Sequence, residues 1–108
     1  MILHVYVLRD IVEGQATLLL TAPSQAVLKR NVKELMASKE KNPFNSYVDD
    51  KALFHVADYD SESLDMKGIH PTQIFSLLEL KDEILLEFKR AQELKKEISS
   101  DDTEKTSN

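Results

Sequence analysis

The sequence predicts an α+β domain: a small antiparallel sheet of three to four strands, one packed helix and a long C-terminal helix. Three observations predict it. Short apolar runs of strand length recur at residues 2–8, 16–20 and 52–58. A Pro23-Ser24 start signal precedes an apolar stripe with helical spacing. Residues 73–98 hold no Gly or Pro and repeat an apolar residue every seven positions.

Residues 2–8 form a continuous apolar run, which suits a central strand. Ile2, His4, Tyr6 and Leu8 share one face; Leu3, Val5 and Val7 share the other. Residues 9–15, with Gly14, read as a turn, and residues 16–20 as the hairpin partner, although their Leu triplet also suits a helix. Thr21 or Ser24 can cap the first helix. Its apolar stripe is Leu28, Val32, Leu35 and Met36, and it fades near Ser38. Residues 39–51 are a polar loop in which Phe44 and Tyr47 are expected to anchor on the core. Residues 52–58 return to strand, followed by an acidic turn and a short strand at residues 64–66. His70-Pro71-Thr72 then reads as the opening of the second helix, running over residues 73–98. This divides the chain into a core domain (1–70), a helical arm (71–98) and a tail (99–108). The tail holds no apolar residue and is expected to be disordered.

Composition narrows the function. The 108 residues suffice for one domain, and 42% apolar with 31% charged residues describes a soluble one. There is no cysteine, so disulfides and thiolate metal sites are excluded. With Gly14 and Gly68 as the only glycines, Gly-rich phosphate loops are excluded too. Neither a signal peptide nor an apolar run near the ~20 residues of a membrane span is visible, which points to the cytoplasm.

His4, His55 and Asp58 or Asp60 could build a metal or acid–base site if the sheet brought them together. The plainer reading, histidines lining a sheet, is preferred. The run from Asp58 to Asp65 opens like a calcium loop, but Ser63 stands where Gly is required and Ile69 where the closing Glu belongs. The expectation is therefore a non-enzymatic protein with no catalytic residue, metal or cofactor.

Two surfaces are candidates for binding. Lys29, Arg30, Lys33, Lys39 and Lys41, against Glu34 and Glu40, make a local +3 within a chain of net −5. These five are the candidate contacts to single-stranded DNA, with Phe44 and Tyr47 nearby to stack on bases. The second surface is the seam Leu77, Ile84, Ala91 and Ile98, with Leu80 and Leu94 between and Glu87 interrupting it; it suits a protein partner or a second copy of the chain, or else packing on the chain's own sheet. The net negative charge favours a protein-binding module; the basic stretch leaves DNA open.

The order of features resembles the small nonstructural protein of gokushoviruses, within the Microviridae. The strand Leu3-His4-Val5-Tyr6-Val7-Leu8-Arg9-Asp10 leads to Gly14. A helix with Ala26, Arg30 and Glu34-Leu35 follows. Tyr47-Val48-Asp49-Asp50, the strand Leu53-Phe54-His55-Val56 and the turn Asp58-Tyr59-Asp60 complete the match. Ala57 departs from the family's Gly, residues 61–63 lack its Thr-Gly pair, and the resemblance stops near Leu80. It implies a bacteriophage protein of the infected cell, outside the mature virion. It also implies a role in single-stranded DNA synthesis and genome packaging, through contact with DNA, the replication complex or the procapsid. It implies no catalytic residues.

Overall fold

The computed structural model describes the backbone of residues 1–106 and the side chains of residues 1–96. The elements are β1 (Ile2–Asp10), β2 (Gln15–Ala22), α1 (Gln25–Ala37), a 3₁₀ turn (Val48–Asp50), β3 (Lys51–Asp60), β4 (Met66–Ser76) and α2 (Leu77–Thr106). The strands form one antiparallel sheet in the order β2-β1-β3-β4. The expected α+β class holds, with four strands. The tail expected at 99–108 and the seam residue Ile98 lie outside the described side chains.

The apolar run of β1 takes the sheet's interior, paired on both sides. The β1–β2 turn closes through a hydrogen bond from the Gly14 amide to the Asp10 carbonyl at 2.8 Å, with Gly14 at φ +72° where a side chain would be strained. Of the two candidate caps, Ser24 is the one used. Its hydroxyl accepts from the Val27 amide at 3.2 Å, whereas Thr21 lies in β2.

Both helices pack on one face of the sheet. Tyr6 and Leu8 of β1, Leu53 of β3, Leu28 and Val32 of α1, and Leu77 and Leu80 of α2 form the buried core. Each fully buried Leu or Val contributes about 1.5–3 kcal/mol. Of the α1 stripe, Met36 packs at the core's edge and Leu35 is exposed. The opposite face of the sheet carries Leu3, Val5, Val7, Leu19 and Phe54, none of which joins this core.

Three local expectations are corrected. Tyr47 does not anchor the loop: it is exposed, at φ +51°, and Phe44 alone is buried. Asn42 fixes Phe44 in place, its Oδ1 accepting from the Phe44 amide at 2.8 Å and its Nδ2 donating to the Leu35 carbonyl at 2.8 Å. The strand expected at residues 64–66 is instead the eleven-residue β4. Leu64 belongs to the turn before it, at φ +66°. Residues 70–76 are therefore strand, and the helix starts at Leu77. Pro71 is tolerated because β4 is an edge strand. The ladder is also irregular there: between Ala57↔Gly68 and His55↔Thr72, β3 advances two residues and β4 four. The 70/71 boundary drawn from the sequence falls inside this strand.

Among the described residues, no helix is long and apolar enough to cross a membrane.

Candidate functional site

In a regular strand, residues three apart point to opposite faces, so His55 and Asp58 should not meet. A bulge in β3 removes that separation. Val5 pairs with Ala57 and Tyr6 with His55, leaving Val56 as the extra residue. His55 and Asp58 then share the face of Tyr6, and His4 on β1 pairs directly with Asp58. Asp58 Oδ1 accepts from His4 Nδ1 at 2.6 Å and from His55 Nε2 at 2.8 Å. The two imidazoles meet edge-on with centroids 5.1 Å apart, and Tyr6 lies 5.3 Å from the His55 ring.

The hydrogen bond from His4, then that from His55, holds the Asp58 carboxyl below its ordinary range. Burial, and secondarily the Asp58 charge, pushes the Tyr6 phenol up. Asp58 also lines a groove of about 620 Å³ shared with Asp60, Asp65 and Lys67. His4, His55 and Asp58 thus converge as an acid–base or metal site would require, while Asp60 turns away. Its Oδ1 accepts from the Glu62 amide at 2.9 Å and organises the β3–β4 turn.

The five candidate DNA contacts do not act as one patch. Lys29 Nζ reaches Glu83 Oε1 at 2.8 Å and sits 5.3 Å over the Phe75 ring. Lys33 Nζ lies 2.9 Å from Glu83 Oε2 and 2.9 Å from Glu87 Oε1. The hydrogen bonds from Lys29, then Lys33, hold the Glu83 carboxyl below its usual range. Those to Glu83, then Glu87, raise Lys33. Arg30, Lys39 and Lys41 are exposed. Two of the five cations therefore bind α1 to α2.

The candidate partner seam also divides. Leu77 and Leu80 are in the chain's own core, and Ile84 is half-covered. From Leu85 to Lys96 every residue is exposed, including Ala91. Leu85 is 53% exposed, Phe88 60% and Leu94 61%. At 1.5 Å per residue, this stretch is about 18 Å of helix with large apolar side chains in water.

The family model for the phage ORF5 protein matches residues 3–80. The chain belongs to the phage ORF5 protein family. No curated protein and no solved structure matches it. In this phage family member the match covers all of the sheet but Ile2, together with α1, the histidine–aspartate cluster and all five basic candidates. It ends at Leu80, the last buried residue of α2 among the described side chains. The exposed length of α2 lies beyond it.

Reading the sequence alone missed the α1–α2 ion pairs. A signal was there: Lys29 and Lys33 are four apart, and so are Glu83 and Glu87, a spacing that presents matching charges on two helix faces.

Proposed function

We propose that this phage protein is a non-enzymatic adaptor that self-associates through α2 and acts by protein contact in viral single-stranded DNA synthesis and genome packaging in the host cytoplasm. The observation that carries the contact surface is the uncovered helix beyond Ile84. Past Glu87, which still meets Lys33 of α1, the stripe that buries Leu77 and Leu80 runs on through Ala91 and Leu94, both exposed among the described residues, with Phe88 exposed on its flank. The partner is a second copy of this chain, because a seven-residue seam is self-complementary: two such helices bury the same residues against each other. The setting in DNA synthesis and packaging is supported by the resemblance of the first seventy or so residues to gokushovirus nonstructural proteins, and phage membership by the family match.

Protein contact is favoured over a direct grip on DNA because Lys29 and Lys33 are engaged with Glu83 and Glu87. Moving them to phosphates would break three ion pairs between the helices. The remaining cations, Arg30, Lys39 and Lys41, are too few for strong electrostatic binding at physiological salt.

Sedimentation equilibrium of the full chain, alongside Phe88→Glu/Leu94→Glu and Leu19→Glu variants, tests the proposal. We expect a dimer for the natural chain and for Leu19→Glu, and a monomer for the α2 variant. Dissociation by Leu19→Glu with the α2 variant still dimeric would place the interface on the open sheet face and overturn the proposal. Salt-sensitive binding to a single-stranded oligonucleotide, weakened by Arg30→Gln and Lys41→Gln, would restore the DNA-contacting adaptor.

A further inference from the structure

The β3 bulge decides which side chains meet at the partly exposed His4, His55 and Asp58. We propose that these three side chains form a binding site for one divalent transition-metal ion, with zinc as the expected occupant, ligated by His4 Nδ1, His55 Nε2 and a carboxylate oxygen of Asp58. This goes beyond the expectation of no metal and is independent of the adaptor reading.

The chemistry of the donors fits. Two neutral imidazoles and one carboxylate are a borderline donor set, suited to zinc and its neighbours and poorly suited to calcium or magnesium. The three ligand atoms lie within 4.8 Å of one another. Around tetrahedral zinc, with ligands about 2.0–2.2 Å from the metal, neighbouring donors are about 3.4 Å apart. Here both nitrogens converge on one oxygen at 2.6 and 2.8 Å. Opening each contact by about 0.6–0.8 Å makes room for the ion, a movement within reach of small side-chain rotations. The side chains are 18–36% exposed, so none is locked in a tight core.

The backbone is already organised for it. Without Val56 as the extra residue, Asp58 would face away from His55. The site draws on two neighbouring strands in the sheet interior, so the spacing of His4 against Asp58 is set by the β1–β3 ladder. On binding, each imidazole presents the lone pair of the nitrogen that now donates to Asp58, and its proton moves to the other ring nitrogen. Partial exposure leaves a fourth position to water or to a ligand from a partner.

The test is a calorimetric titration of zinc chloride into the untagged full chain, with the histidine ring signals followed by NMR. We expect one ion per chain, and His4 and His55 signals that shift together while His70, exposed in β4, does not. His4→Gln and Asp58→Asn should each weaken binding at least about tenfold; His70→Gln should leave it unchanged. Zinc should also raise the melting temperature of the natural chain and not that of the Asp58→Asn variant. Circular dichroism separates lost ligands from lost fold, and His55→Gln supplies a third, independent ligand removal should one variant misfold. Absence of saturable one-to-one binding, or binding unaffected by all three ligand substitutions, would overturn the proposal.

Discussion

Replacing Glu83 by Gln tests whether α1 and α2 are held together by charge. The substitution keeps side-chain size and helix propensity and removes one negative charge. In the structure it breaks two contacts, Lys29 to Oε1 at 2.8 Å and Lys33 to Oε2 at 2.9 Å, and leaves Lys33 with Glu87. Exposed ion pairs are worth about 0.2–1 kcal/mol each. Lys33 is the least exposed member of the network, which places its pair toward the upper end. The expected loss is about 1 kcal/mol, or about 4–8 °C in melting temperature for a domain near this size. Thermal unfolding by circular dichroism reads it, with Glu93→Gln, an exposed site on the same helix, as control. The difference should shrink in ~1 M salt, where the screening length falls to about 3 Å. Equal melting temperatures for the natural chain and Glu83→Gln at low salt would refute the reasoning and release Lys29 and Lys33 for other partners.

Two further outcomes follow from the core and the cluster. Leu80→Ala removes a fully buried side chain of α2 from the core shared with α1 and the sheet, and should cost about 2–5 kcal/mol in urea unfolding; a loss below about 1 kcal/mol on that scale would contradict the packing. The lowered carboxyl of Asp58 makes its contribution acid-sensitive. That contribution is complete above the ordinary Asp value of about 3.9 and is lost as pH falls through the lowered folded value. Asp58→Asn should therefore be less stable than the natural chain at neutral pH, with the gap closing in acid below that window.

The parts of the fold legible in the sequence are those with a strong period. β1 announced itself by an unbroken apolar run, α1 by Ser24 and the Leu28–Val32 spacing, and α2 by its seven-residue seam. β4 was not legible, because Gly68 and Pro71 break its pattern and only edge-strand pairing makes a proline acceptable there. Tyr47 misled because an aromatic in a loop usually finds the core, whereas here Phe44, fixed by Asn42, already fills that place.

The cluster shows a different limit. Alternation along β3 assigns His55 and Asp58 to opposite faces, and only the bulge at Val56 unites them. A bulge depends on the pairing of whole strands, which one strand's residues do not encode. The basic stretch shows a third. Its charges are plain in the sequence, but whether they face solvent or Glu83 and Glu87 depends on a helix 54 residues away.

The central claim, that α2 beyond Ile84 is a protein-binding surface, is tested most directly by the mass of the full chain in solution. At a concentration on the order of 100 μM, well above a micromolar dissociation constant, sedimentation equilibrium should give about twice the 12.3 kDa chain mass. Phe88→Glu/Leu94→Glu should return it to that of a single chain. A single-chain mass for the natural protein, unchanged by the substitutions, would contradict the account.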